Sequence, residues 1–379
     1  MKVYEKIGLA VPKIMLPVNI DMEKWAVVAC DQFTSEKDYW ENVDNIVGDN
    51  ASTLRLILPE VYLEESDKNE RINKINKTMQ EYLDKGVLKE EFEGFVYVER
   101  TMKNGKIRKG LIVALDLEKY DYHKGAKSLV RATEKTVEER IPPRVAMREN
   151  ALIELPHIMV LVQDLPIKEH GELLYDFELM MGGGHIKGYK VIKTDEIAQR
   201  FEELITSDGF LYAMGDGNHS LAAAKACYEK NPNELNRYAL VEIVNIHDDA
   251  IEFEAIHRVV FDAPTDLIEK IKGDGDEIEL VRNGEKEKIR IKDMGSNLAV
   301  GNLQILLDQI PNLKIDYVHG EESVKKLVIG NNIGFILPVM TKDQLFPTVA
   351  QDGALPRKTF SMGEAEEKRY YLEARRIRP

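Results

Sequence analysis

Only two cysteines occur in the 379 residues, Cys30 and Cys227, and they form no CxxC pair. A disulfide framework and a cysteine-rich zinc site are therefore disfavoured. Long apolar runs are also missing: GLIVALDL and IMVLV fall well short of the ~20 residues that cross a bilayer. The opening MKVYEKIGLAVPKIMLPVNIDMEKW mixes charges with prolines and has no apolar stretch leading to a cleavage site, so no secretory signal is expected. No membrane association is expected, and the expected location is the cytoplasm. Positive charge is in deficit, with 52 Lys plus Arg against 66 Asp plus Glu and a formal charge of −14. Nucleic acid is a disfavoured partner, because coating it calls for a basic face. A small-molecule anion or a nucleotide needs only a few placed donors and remains compatible. There is no fixed-period repeat and no low-complexity tract, which disfavours solenoids and propellers. No H-E-x-x-H, G-x-S-x-G or G-x-x-x-x-G-K-[ST] motif is present, and the scattered histidines lack ligand spacing, so no metal site is assigned.

What is present is an alternation of short apolar runs and amphipathic stretches. WAVVAC (25–30) reads as a strand, followed by a helix capped by Thr34 or Ser35. In residues 66–85, Ile72, Ile75, Met79 and Leu83 recur at spacings of three and four ahead of Gly86, which predicts an amphipathic helix with a C-cap. Two strand-like runs in 92–117 meet at Asn104-Gly105, a dipeptide that supplies positive φ at both centres of a tight hairpin. HIMVLVQD (157–164), GFLYAM (209–214), YALVEIVN (238–245) and AIEFEAIHRVVF (250–261) read as further strands. A second hairpin is predicted at Asn283-Gly284. The length accommodates two domains, and the change of character near 262–265 places a core domain over 1–262 and a smaller α+β region over 263–379. The fold class is mixed α/β of the α+β kind.

The stretch YAMGDGNHSLAAAKACYEK (212–230) is the strongest functional signal. A strand feeding Gly215-Asp216-Gly217-Asn218-His219-Ser220 and then a helix presents unpaired N–H groups at the positive end of a helix dipole. That is an anion site. The glycines admit a phosphate close to the backbone, Asn218 or Ser220 can cap the helix or donate, and Asp216 and His219 are titratable. The same pattern also starts ordinary helices, about half the time.

SLVRATEKTVEERIPPR (128–144) reads as a charged helix ending in a proline pair. The prolines would hold Arg144 in an extended segment, where a fixed guanidinium suits bidentate recognition of phosphate. MMGGGHIKGYKV (180–191) reads as a hairpin in preference to a mobile flap. LPRKTFSMG (355–363), with Arg357 and Lys358, is either a basic lip reaching back to the site or a surface strand.

RATEKTVEERIPPR, LPHIMVLVQD, GDGNHSLAAAKA and LPRKTFSMG, in that order and at these separations, resemble the prokaryotic family called domain of unknown function 1015. The likeness covers nearly the whole chain. Through one box it extends to the ParB and sulfiredoxin superfamily, which implies a ParB/sulfiredoxin-like core. That box is matched here by Asp216, Gly217 and His219, while Asn218 replaces a histidine and Ser220 an arginine. Thr133, Glu134, Thr136 and Arg140 match a second motif, Pro356, Lys358 and Thr359 a third, and Asp31 is the counterpart of an early aspartate. Without the box arginine, a phosphate would draw on Arg140 or Arg144.

These features lead to an expected small-molecule phosphotransferase or nucleotide hydrolase. Gly215, Gly217, Asn218, Ser220, Arg140, Arg144 and Lys358 would bind phosphate. Glu134, Asp216 and His219 would be catalytic, with Mg²⁺ accompanying a nucleotide. A nucleotide-binding regulator acting through a protein partner is the alternative, and metal-dependent hydrolysis by Asp216, His219 and His185 a further one. The phosphate-site reading requires residues 134–144 to meet the turn 215–220 in space.

Overall fold

Alternation along two adjacent strands, Phe95–Thr101 and Ile107–Asp116, sends Val96, Val98 and Ile112 to one face and Phe95, Tyr97, Leu111 and Val113 to the other. Both faces are apolar, so both must be covered. The computed structural model, which describes residues 1–123, 125–167 and 169–378, places these strands inside an eleven-stranded mixed sheet. Its order is Leu173–Leu179, Gly184–Val191, Phe95–Thr101, Ile107–Asp116, Tyr238–Asn245, Met159–Val162, Tyr212–Asp216, Val130–Arg131, Tyr120–Asp121, with Leu9–Ala10 attached to Ile107–Asp116 and Val3–Tyr4 to Leu9–Ala10. One face is covered by Trp25, Trp40, the Ile72, Ile75 and Met79 stripe of the helix Lys68–Asp84, and Tyr370 to Leu372 from the chain's end. Helices Thr194–Glu203 and Asn218–Lys230 cover the other.

A second, six-stranded sheet is antiparallel throughout: Glu285–Ile291, Lys272–Arg282, Ile333–Ile336, Phe253–Phe261 and Lys314–His319, with Phe360–Met362 added beside Phe253 to Ala255. Its core includes Leu303, Phe335 and Leu345 and continues into Met159, Leu161 and Ala213 of the first sheet. The two sheets are thus joined by apolar packing at the strand that leads into the glycine turn. The second sheet starts at Phe253, ahead of the boundary expected at 262–263, and Tyr370–Tyr371 returns to pair with Val27–Val28. Among the described residues, ten α-helices and the large mixed sheet make the fold mixed α/β, as expected. No helix among the described residues is long and apolar enough to cross a membrane.

Several local expectations change. The helix after WAVVAC is Lys37–Val47; its cap is Glu36, without a side-chain bond, in place of Thr34 or Ser35. At Asn104-Gly105 only Gly105 has positive φ, because the strands pair last at Thr101 and Ile107 and the wider loop needs one left-handed residue. At Asn283-Gly284 both residues are left-handed and the strands close directly, from Arg282 to Glu285. Residues 128–144 do not form one helix. Val130–Arg131 is a strand, the chain has no helical turn until Glu138–Arg140, and the helix is Ile141–Arg148 with its prolines in the first turn. Prolines fit there because first-turn N–H groups have no intrahelical acceptor. Arg144 therefore rides on a helix, and the extended presentation predicted for it is corrected.

Candidate functional site

The strand Tyr212–Asp216 ends at Gly217, whose φ of 75° and ψ of 25° lie in the left-handed region. A β-carbon there would sit 3.1 Å from the Ile158 Cα, so backbone conformation and space both call for glycine. The helix Asn218–Lys230 then buries Leu221 and the small side chains of Ala222 to Ala224, which let it pack closely on Ile141–Arg148. Its first N–H groups, at Asn218 and His219, have no intrahelical acceptor. They open onto a cavity of about 820 Å³ between the two sheets.

The non-helical course of residues 132–137 is set by bonds to this turn. Thr133 Oγ1 donates to the Met214 carbonyl at 2.7 Å, Asn218 Nδ2 donates to Thr136 Oγ1 at 2.7 Å, and the Val137 N–H donates to His219 Nε2 at 3.1 Å. Tyr120 also donates to Asn218 Oδ1 at 2.6 Å. The Asn218 side chain is thereby occupied in holding the segment, and its offer to a ligand is chiefly its backbone N–H. Segments 134–144 and 215–220 meet, and Glu134, Arg140, Arg144, Gly215, Asp216, Gly217, Asn218, His219, Ser220 and Lys358 all line the cavity.

The opposite wall is the 355–368 segment, so LPRKTFSMG is a lip over the site. Leu355 bridges to Glu134. Beneath the lip lies Arg258, fully buried on the second sheet, whose guanidinium donates to the carbonyls of Lys358 at 3.0 Å and Arg357 at 3.2 Å. Burial pulls its pKa down to about 10, so it stays charged. Both carbonyls are drawn inward while Lys358 holds a φ of 57°, an uncommon conformation for a long side chain. Farther along, Arg100 and Arg108 bind the carbonyls of Glu366 and Glu367 at 2.6 and 2.9 Å. These bonds position Lys368, which pairs with Asp216 at 3.2 Å.

The titratable groups divide by surroundings. Burial pushes the Asp216 carboxyl up, but the Lys368 ammonium and the Gly217 N–H outweigh it and hold Asp216 below the usual range. Glu134 goes the other way, raised by burial and by Asp216 against the pull of Lys358 and Arg357. His219 is pushed down to about 4 by burial and by Arg144, Arg140 and Arg357. Its Nε2 accepts from Val137, so the neutral ring carries its proton on Nδ1 and has no free lone pair to act as a base. Arg144 is paired with Glu60, whereas Arg140 is exposed. Arg357 lies 5.8 Å from the Tyr317 ring centroid.

His157 is a site residue that sequence reasoning passed over. Its Nε2 is 2.8 Å from Ser220 Oγ and its Nδ1 is 3.1 Å from the Tyr371 hydroxyl. Burial holds its pKa down although Asp31 and Asp216 lie close. The one available signal was its place in LPHIMVLVQD, at the head of the strand that pairs with Tyr212–Asp216. Asp31, the counterpart of the early aspartate, lines the cavity. His185 does not join the site: 180–191 belongs to the expected hairpin, where His185 pairs with Asp176 and Glu178. Metal-dependent hydrolysis through His185 with Asp216 and His219 is corrected accordingly. At the cavity rim, Glu254, His319 and Glu364 approach closely enough to share a cation, a grouping no sequence spacing announced.

Among solved structures, a free serine kinase in complex with AMP is 13% identical over 73% of this chain and 95% of that chain, with a TM-score of 0.42. A conserved hypothetical protein from Pyrococcus furiosus is 13% identical over 70% and 95%, at 0.38. SbnI with a C-terminal truncation, from Staphylococcus aureus, is 9% identical over 66% and 82%, at 0.39. No curated protein matches the chain. The family described as "Protein of unknown function (DUF1015)" matches residues 16–376, and the chain belongs to it.

Proposed function

We propose that the cavity binds a nucleotide and that the protein is a small-molecule phosphotransferase or nucleotide hydrolase. One observation carries this reading: a bare helix N-terminus, six cationic side chains and several carboxylates converge on one cavity of about 820 Å³. The Asn218 and His219 N–H groups receive a phosphate, and Arg140, Arg357 and Lys358 neutralise charge that develops during transfer. Arg144, held by Glu60, and Lys368, held by Asp216, are placed cations whose charge is already balanced. Glu134, with its raised pKa, is the better general base, and Asp216 is the anchor. Neutral His219 donates from Nδ1. Asp31 offers a hard oxygen ligand to a Mg²⁺ that arrives, largely hydrated, with the nucleotide. The ParB/sulfiredoxin-like reading of the core and a cytoplasmic setting, where nucleotides are at hand, belong to the same proposal.

Calorimetric titration with ATP, ADP, CTP and GTP, with and without Mg²⁺, tests it. Binding that weakens about tenfold in Arg140→Ala, matching the loss of one charge-assisted contact, is the expected result. No heat with any nucleotide would overturn the reading. Tight binding without turnover would favour the regulatory alternative.

A further inference from the structure

Behind the glycine turn lies a second chamber of about 140 Å³, walled by Leu58, Met79, Met147, Ala223 and Leu240. It shares Glu60, Leu63, Pro143, Arg144 and Ser220 with the polar cavity, so the two meet across Ser220 and the Glu60–Arg144 pair. Its character is opposite to that of its neighbour. The charged groups on its wall are already paired: Arg144 with Glu60, and Glu154 with Arg148 and Arg375. Its other polar groups form a chain at one end, from the Cys30 N–H to the Tyr371 hydroxyl at 3.2 Å, then His157, then Ser220. An unfilled, mainly apolar space of this size forfeits packing contacts, and a cavity of ~150 Å³ accepts a ligand as large as benzene. A nucleoside is too large and too polar for it. Ligand pockets elsewhere combine such apolar walls with a few converging polar groups.

We infer that this chamber receives the compact aliphatic part, on the order of six carbons, of a second substrate whose hydroxyl meets the nucleotide's terminal phosphate beside Ser220. The inference rests on the nucleotide reading of the polar cavity. The hydroxyl oxygen bonds to the terminal phosphorus while the bond from that phosphorus to the bridging oxygen breaks. The nucleoside diphosphate leaves, and the hydroxyl proton passes to Glu134. The chamber selects acceptors by apolar shape, whereas the polar cavity selects the donor by charge.

Hexan-1-ol is the probe, titrated by saturation-transfer NMR into the full chain with and without saturating Mg²⁺–ATP. The same titration is run on Ala223→Leu and Met147→Phe, which fill the chamber from two elements. The expected result is hexanol binding that weakens at least about tenfold in whichever variants remain folded, with ATP affinity held within about twofold. ATP and hexanol also change each other's affinity by about threefold or more, equally in both directions. A protein that binds ATP but not hexanol overturns the chamber and leaves the nucleotide reading standing. Hexanol binding without ATP binding sinks the nucleotide reading, and the acceptor role with it. Undiminished hexanol binding in both folded variants, or binding indifferent to ATP, also overturns the inference.

Discussion

Replacing Lys368 by methionine isolates the electrostatic contact that anchors the glycine turn. The Lys368 and Asp216 side chains are 15% and 25% exposed and 3.2 Å apart. At an effective dielectric constant of about 20, such a pair attracts by about 5 kcal/mol, and desolvation offsets more than half of that, leaving about 2 kcal/mol. Lys368 also donates to the Met362 carbonyl at 2.8 Å, a bond whose loss costs about 1 kcal/mol at any pH. Only the first part depends on pH. In the wild type the Asp216 carboxyl titrates below its unfolded value of 3.8, so its contribution is complete above that value and is lost as pH falls through the folded pKa. Without Lys368, burial dominates and the folded pKa rises above the unfolded one. The charged carboxylate then weakens the fold at neutral pH and is relieved by acid. Lys368→Met should therefore be about 3 kcal/mol less stable than wild type at pH 7, with the deficit falling toward about 1 kcal/mol only at a pH below the folded pKa, near pH 2. Urea unfolding at both pH values reads the two differences. A deficit of the same size at both would refute the reasoning, as would its survival unchanged when Asp216→Asn is added.

Arg258→Met removes donors to the carbonyls of Ile256, Arg357 and Lys358 and to Gln304. Denaturant unfolding should show a loss of about 3–5 kcal/mol, and calorimetry a weaker nucleotide site as Lys358 leaves its left-handed conformation. Gly217→Ala, with its β-carbon 3.1 Å from Ile158 at a φ of 75°, should cost about 1–2 kcal/mol in thermal unfolding and lower phosphate affinity with it. His219 titrates at about 4 in the fold against 6.5 unfolded, so it contributes stability above pH 6.5 that drains away as pH falls toward 4. His219→Gln keeps an acceptor for Val137, and its unfolding midpoint should therefore drop less than that of the wild type between pH 7 and pH 5.

Elements with a local cause were legible. Helix Lys68–Asp84 follows from the spacing of Ile72, Ile75 and Met79, and the two-residue turn at Asn283-Gly284 from residues that tolerate positive φ. The same logic misread Asn104-Gly105, because loop width is chosen by the register of the flanking strands. It misread residues 128–137 for a related reason. Their charges suit a helix, but Thr133, Thr136 and Val137 are claimed by Met214, Asn218 and His219, more than 80 positions away, and those bonds favour a non-helical path.

The glycine turn shows where the division falls. By itself the sequence determined a strand, a glycine-flanked turn and a helix start with bare N–H groups, because those depend on neighbouring residues. It also determined that arginines and acids were available in three separate motifs. Tertiary structure alone decided which of them are spent. Lys368 neutralises Asp216, Glu60 takes Arg144, Val137 takes the lone pair of His219, and Arg140 remains exposed. Partnering, burial and pKa are properties of the space around a group, and that space is assembled here from segments that meet only when the two sheets dock.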